Sequence, residues 1–350
     1  MQTNLFEQVC SFKNIYLAYK KAKRNKKYRP YVLEFSADLE RNIISLANDL
    51  KAGRYCHGKY KERYISDLKK RLIKIAPFRD RIVHHAICNI IEPIFDKNFV
   101  KEFFACRTGK GNHRAVLKFK SMMRVFEDGH CLKCDISKYF ASIQHNILLD
   151  LIKKKIKDEK LVNLVTKVIY SSYDSKMDYL GKGSIYAGIP IGNLTSQLFA
   201  NIYLNELDHF IKEVLKEKHY IRYMDDFLIV SPNKIILQKD KFIISKFLKR
   251  KLGLTLHSRK ANILLLNRGV EFLGYKFFKN YRLIRKATIG RFEKSLKLYR
   301  IKLKKREIDS AFYLSSLRSW GTFARFANSY KLRQYLFIKY SLPIEAHFLV

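Results

Sequence analysis

Residues 1–53 carry apolar positions at helical spacing. Phe6, Val9, Phe12, Ile15, Tyr16 and Tyr19 recur at intervals that put them on one helix face. A basic run from Lys20 to Arg29 follows, and Pro30 stops it. Ser36 and Asp38 open a second amphipathic stretch that ends near Gly53. Short β-like pieces occupy 60–80, among them 71–76. Residues 80–105 read as one long helix with Ile82, Ala86, Ile90 and Ile94 on one face and Pro93 as a kink or an end. An apolar strand is expected at 130–136 and a helix across 144–170. A loop with Gly181, Gly183 and Gly188 then leads into Ile189-Pro-Ile-Gly192, and a helix runs from Ser196 to about Lys218. His219 to Val230 reads as two apolar strands meeting at a tight acidic turn. A helix at 236–253 ends on Gly253, and short strands are expected at 254–256, 261–266 and 271–278. The rest, 286–340, is helical, with Phe292, Leu296, Tyr299 and Leu303 on one face.

Charge changes this picture. The chain has 350 residues with 70 Lys plus Arg against 31 Asp plus Glu, a formal net charge of +39. Self-repulsion on that scale opposes a compact state unless a polyanion neutralises it. Nucleic acid is the natural counterpart, and an anionic membrane surface is the rival. The basic residues are spread along the whole chain, which favours a long groove around a duplex. From Tyr281 to Arg306 there are eleven basic residues and one acidic, Glu293. A helix with one apolar and one basic face there suits a lobe resting on a phosphate backbone, and 20–29 suits a phosphate-facing patch.

Composition excludes other classes. Hydrophobic residues make up 47% of the chain, enough for a sizeable core. The six cysteines, including the lone Cys131-Leu-Lys-Cys134 pair, do not form a disulfide framework. No apolar run approaches the ~18 residues of a membrane span, and the N-terminus has no signal-peptide core. A reduced, cytoplasmic compartment without membrane partners is expected.

The chemistry concentrates at Tyr223-Met-Asp225-Asp226. Two adjacent carboxylates between apolar strands are costly unless paired or bound to metal, and each raises the other's pKa. A divalent cation answers both problems. A third carboxylate at the end of another apolar strand is available in Asp135. Three carboxylates suit two metals ~3.5–4 Å apart, one activating an attacking hydroxyl and one holding a leaving group. Hard oxygen ligands and a phosphate substrate point to Mg²⁺, two ions, with Mn²⁺ open as the alternative. Taken singly, each of these Asp residues reads as well as a turn or cap residue; the combination does not.

In this setting the chain resembles reverse transcriptases. The Tyr-Met-Asp-Asp turn matches their palm signature, and seven blocks occur in order across roughly 60–280. The first runs from Lys69-Lys70-Arg71 through Arg79-Asp80-Arg81-Ile-Val-His-His85, and the second is Phe104-Ala-Cys-Arg-Thr-Gly-Lys-Gly111. The third is Asp135 with Phe140 five residues on, and the fourth is Gly188-Ile-Pro-Ile-Gly-Asn-Leu-Thr-Ser-Gln197. The acidic turn is the fifth, Leu252 to Lys260 the sixth, and Phe272-Leu-Gly-Tyr-Lys-Phe277 the seventh.

The resemblance implies an α+β right-hand polymerase with fingers, a palm built on an antiparallel sheet, and a helical thumb. The lobes would be a helical basic N-terminal segment at 1–58, fingers at 59–129, palm at 130–280 with a fingers insertion about 145–185, and thumb at 281–350. It also implies roles. Asp135, Asp225 and Asp226 would bind the metals, with the backbone carbonyl of Ile136. Lys70 (or its neighbour Lys69) and Arg71 would grip the triphosphate. Phe140 would stack on the sugar and exclude a 2′-hydroxyl, or else merely pack. Ile191, Gly192 and Gln197 would line the nucleotide site. Lys260 would neutralise the leaving pyrophosphate, unless it is a solvated surface lysine. Phe272, Leu273, Gly274 and Tyr275 would form the primer grip.

The fourth block narrows the resemblance. Most of the family has Gln-Gly followed by Ser-Pro, whereas this chain has Ile191-Gly192 followed by Ser196-Gln197. That variant is similar to the enzymes of diversity-generating retroelements, which copy a template RNA into cDNA with errors opposite adenine. The cDNA then replaces part of a variable gene, a process called mutagenic retrohoming. Ile can only pack where Gln would hydrogen-bond, and losing a desolvated polar contact weakens discrimination by roughly 1–3 kcal/mol. The implied partners are template RNA, the RNA/cDNA hybrid, deoxynucleotides and a small basic oligomeric accessory protein. A retron-like or phage-defence reverse transcriptase is the alternative, and a non-catalytic RNA-binding scaffold is the alternative of a different class.

Overall fold

The structure is a computed structural model that describes residues 4–66, 70–126, 128–172, 186–342 and 346, with the side chains of Ser66 and Lys70 left out. The glycine loop at Gly181 and Gly183 and the alternative Lys69 lie outside the described residues.

The N-terminal helical stretch is four helices: α1 (Leu5–Cys10), α2 (Phe12–Lys23), α3 (Pro30–Ala37) and α4 (Leu39–Lys51). Their breaks have local causes. The Ser11 hydroxyl accepts from Asn14 N and starts α2, and Pro30 begins α3, where its missing N–H costs nothing. Strands β1 (Lys61–Ser66) and β2 (Lys70–Ile75) pair antiparallel, Lys61 opposite Ile75 and Ser66 opposite Lys70. The long helix α5 (Phe78–Asp96) ends well before residue 105. Pro93 lies inside α5, one turn from the end, and does not terminate it. Helix α6 (Asn112–Met122) was not expected from the sequence, although Ala115, Phe119 and Met122 carry the spacing.

Strand β3 (His130–Asp135) matches expectation, and a short α7 (Tyr139–Ser142) follows. The single helix expected at 144–170 is two, α8 (His145–Lys155) and α9 (Glu159–Tyr170). Asp158 divides them: its Oδ1 caps α9 by accepting from Leu161 N at 3.1 Å, and its Oδ2 accepts from Phe6 N at 2.7 Å. Helix α10 (Leu194–His209) continues into one π-helical turn, Phe210–Val214. The hairpin β4 (Tyr220–Tyr223) and β5 (Asp226–Ser231) leads to α11 (Lys234–Leu252).

Next come β6 (Asn262–Leu265), β7 (Val270–Phe272), β8 (Tyr275–Phe277) and β9 (Arg282–Ile284), then α12 (Lys286–Lys304), α13 (Ser310–Arg325) and α14 (Tyr330–Lys339). Residues 254–256 are not a strand; Leu256 makes a single antiparallel bridge to Ile136. The strand expected at 271–278 is a hairpin, because Leu273 and Gly274 both take positive φ, 48° and 89°, and turn the chain.

The chain divides into two compact units, residues 1–111, 134–227 and 239–261 in one, and 112–133, 228–238 and 262–350 in the other. A four-stranded sheet has the order β4-β5-β3-β6, and a three-stranded sheet the order β7-β8-β9. Phe227 to Val230 are all buried, so β5 is covered on both faces. In the first unit α2 lies along α5, and Asn14 donates to the carbonyls of Val9 and Ala86. In the second, Phe119 packs edge-on to Phe272 and Phe277, and Phe292 stacks on Trp320 at 3.9 Å. Among the described residues no helix is long and apolar enough to cross a membrane.

Candidate functional site

The acidic turn lies between β4 and β5. Tyr220, Ile221 and Arg222 are buried before it and Phe227 onward after it, so the sheet fixes the turn from both sides. Met224 at its corner has φ 55°, a left-handed conformation that disfavours a side chain. Asp225 and Asp226 are both half-buried. Burial pushes the Asp225 carboxyl above its ordinary pKa, against an opposing hydrogen bond from its own backbone and the charges of Arg71 and Arg222. Arg71 on β2 is therefore within electrostatic reach of the turn.

Asp135 closes β3, and Asp226 opens β5, the neighbouring strand of the sheet. The charge of Asp226 reaches Cys134, whose thiol is pushed up to about 12, chiefly by burial. Asp135 Oδ2 accepts a hydrogen bond from the Lys260 ammonium, and the Asp135 carbonyl accepts from His257 N at 2.8 Å. Ile136 is buried and bridged to Leu256. So Lys260, half-exposed, stands on the carboxylate itself.

Among the described residues no three His, Cys, Asp or Glu side chains are already gathered for a metal ion. In kind, the donors fit a hard divalent cation. They are carboxylates, one desolvated without full compensation and one already holding a side-chain cation.

Around the acids, the fourth block folds onto its neighbours. Gly188 N donates to Ile143 O at 2.8 Å, and Ile189 N donates to Phe140 O at 2.9 Å, so the loop runs beside Phe140. Phe140 is half-buried, its ring edge-on to Tyr139. Lys74 N on β2 donates to Ile191 O at 3.1 Å. Gly192 has φ 120°, and a Cβ there would lie 2.8 Å from Ile73 Cγ2. Asn193 is buried and donates to Tyr60 OH at 3.0 Å. Gln197 lines a cavity of about 380 Å³ with Cys88, Glu92, Cys106, Arg107 and Leu194. The structure thus brings Arg71, Phe140, Ile191 and Gly192 onto elements that touch one another.

Phe272, Leu273, Gly274 and Tyr275, the residues expected to form a primer grip, belong to the second unit. Phe272 and Tyr275 are buried on either side of the Leu273-Gly274 turn, Tyr275 OH donates to Phe323 O at 2.7 Å, and its ring stacks on Phe323. This hairpin is therefore braced by α13.

One network escaped the sequence. Arg222 is completely buried and forks onto Asp208, with Nε and Nη2 at 2.6 and 2.5 Å from its two carboxylate oxygens. Burial alone would lower the Arg222 pKa, but Asp208 more than offsets it and the net direction is upward. The available signal was an arginine amid strand hydrophobes and an aspartate late in an apolar helix, each needing a partner.

A likeness among solved structures bears on the fold. Telomerase from Candida albicans, solved with the TWJ fragment of telomeric RNA, superposes with a TM-score of 0.51 at 14% identity, over 85% of this chain and 63% of that one. The fold is that of a right-hand polymerase. The family model for reverse transcriptase (RNA-dependent DNA polymerase) matches residues 61–277, and the chain belongs to that family. It is 27% identical over 347 residues to the group II intron-encoded protein LtrA of Lactococcus lactis subsp. cremoris, covering 79% of this chain and 56% of LtrA. It is 28% identical over 285 residues to protein YkfC of Escherichia coli K12, covering 69% of this chain and 71% of YkfC. The chain thus spans little more than half of LtrA's length. Enzymes of this family generally use divalent metal ions.

Proposed function

We propose that this chain is an RNA-directed DNA polymerase that works in a diversity-generating retroelement, copying template RNA into cDNA with errors opposite adenine. The observation that carries the polymerase reading is the acidic turn at Asp225-Asp226, on the strand next to the one that ends in Asp135. Asp135, Asp225 and Asp226, with the carbonyl of Ile136, would hold Mg²⁺ or Mn²⁺. Divalent cations bound there supply activation of the primer hydroxyl and neutralisation of the leaving pyrophosphate.

The chain's own residues do the rest. Arg71, and Lys70 beside it in sequence, bind the triphosphate. Phe140 excludes a 2′-hydroxyl by bulk. Lys260, released from Asp135, turns its charge to the pyrophosphate. The hairpin from Phe272 to Tyr275 holds the primer end. In this reading the lobes keep the fingers, palm and thumb bounds expected from the sequence, and the net charge of +39 meets the RNA/cDNA hybrid.

The subtype rests on Ile191-Gly192 and Ser196-Gln197 in the fourth block. With it come the accessory partner, a small basic oligomeric protein, and the structured template RNA. A second reading, an intron-type enzyme of ordinary fidelity, is favoured by the likeness to LtrA. Primer extension on an RNA template with Mg²⁺ and deoxynucleotides, with the product sequenced, separates them. DNA rich in errors opposite adenine, and absent with Asp225→Asn, supports the first reading. Accurate DNA supports the second. Asp225→Asn that copies as well as the parent would refute the metal assignment.

A further inference from the structure

Arg222 lies where a charge is hardest to keep. It sits in β4, completely buried, and each of its three guanidinium nitrogens donates a hydrogen bond. Nε and Nη2 fork onto Asp208, the bidentate geometry in which arginine binds carboxylate most firmly. Nη1 donates to the carbonyl of Met224 at 3.1 Å, and the cationic plane lies 4.0 Å from the centre of the Phe103 ring. Tyr220 OH donates to Asp208 Oδ1 at 2.5 Å. The backbone is pinned too: Arg222 N donates to Glu102 O at 3.0 Å, and Phe104 N donates to Arg222 O at 3.1 Å.

A buried ion pair is a poor device for stability alone, since well-packed hydrophobes often serve as well. The bond to Met224 gives this one another purpose. Met224 holds the left-handed φ of 55° that turns the chain between Tyr223 and Asp225. Releasing that strain would rotate the peptide leading into Asp225 and move both carboxylates.

We infer that Arg222 and Asp208 form a buried clamp on the Met224 carbonyl that holds Asp225 and Asp226 in their metal-binding placement. Both are positioning residues: completely buried, they act on the carboxylates through Met224. The inference rests on the metal reading of the carboxylates given above. Asp208 also sits near the end of α10, the helix that begins just past the Ile191-Gly192 loop, so one rigid rod joins the nucleotide loop to the clamp.

The test is Mn²⁺ binding to the full chain, followed by electron paramagnetic resonance, for the parent, Arg222→Lys, the double variant Asp208→Leu/Arg222→Met, and Asp225→Asn. Lysine keeps a charge but lacks the fork. The double variant removes the pair without leaving a buried charge, so it folds even if the lysine variant does not. The expected result is an Mn²⁺ Kd raised roughly tenfold in the variants that fold, as for lost supports of metal ligands. The Mg²⁺ needed for half-maximal primer extension rises by the same factor, and high Mg²⁺ recovers the rate. Binding within about twofold of the parent in the double variant overturns the clamp. Unchanged binding in Asp225→Asn overturns the metal reading, and the clamp with it.

Discussion

Gly192→Ala is the sharpest test of how the fourth block is held. The new methyl would lie 2.8 Å from Ile73 Cγ2 and 3.3 Å from the Lys74 carbonyl. The isoleucine can shift, but the carbonyl is strand backbone, and the pairing of β2 with β1 holds it in place. An alanine at φ 120° also pays backbone strain of about 1–3 kcal/mol. Kept in place, the loop would cost about 2–4 kcal/mol once crowding is added. Letting go costs less, because a single neutral hydrogen bond, Lys74 N to Ile191 O, is broken at about 1 kcal/mol net. The cheaper route wins, so the loop leaves β2 while the fold survives. Stability should fall by only about 1 kcal/mol in urea unfolding followed by circular dichroism. The KM for deoxynucleotide should rise on the order of tenfold, since Ile191 no longer stands beside the strand of Arg71. Steady-state primer extension with the nucleotide titrated measures it. A KM within about twofold of the parent, with stability down by about 3 kcal/mol, would mean that the loop stayed docked and bore the strain, against this expectation.

Three further outcomes follow from other parts of the chain. Ile191→Gln should lower the error frequency opposite adenine by restoring a polar contact worth about 1–3 kcal/mol, and sequenced cDNA with an unchanged error spectrum would sink the fidelity argument. Asp208→Ala strands Arg222 in the core and should cost about 3–5 kcal/mol, whereas Asp208→Leu/Arg222→Met leaves only the neutral Tyr220 hydroxyl and Met224 carbonyl without their partners and should cost about 1–3 kcal/mol; urea midpoints that rank the double below the single would contradict this. Glu217 is half-buried and its carboxyl is raised to about 7, by burial first and then by its hydrogen bond with Asp240. A raised acid stabilises the fold below its ordinary value and loses that contribution as pH climbs through about 7. Glu217→Gln should therefore gain about 1 kcal/mol at pH 8 and little at pH 5, after discounting for the solvent that still reaches the group; equal urea midpoint shifts at the two pH values would argue against it.

The elements were legible where their signal was local. Strand β3 and the hairpin showed as apolar runs ending in acids, and α11 stopped where its Gly253 said it should. Other features were misjudged because local signals compete. Pro93 is tolerated inside α5, and the capping carboxylate of Asp158 divides what periodicity alone joins. Residues 271–278 looked like one strand because four of the eight, Phe272, Tyr275, Phe277 and Phe278, are strand-forming aromatics, and the positive φ of Leu273 has no sequence signature. Strand β9 is three residues long, too short for a period to register.

The amino-acid order by itself settled the chemistry on offer: Asp135, Asp225 and Asp226 beside apolar runs, a basic chain of +39, and an apolar Ile191 before Gly192. These are properties of residue type and near neighbours, so they need no coordinates. Which charge meets which came from the folded chain. It set Lys260 on Asp135, drew Arg71 within reach of Asp225, latched Ile191 to Lys74, and buried Arg222 against Asp208 with its last donor on Met224. The physical reason is that a buried charge must find its partner in space, and partners distant along the chain leave no periodicity to read.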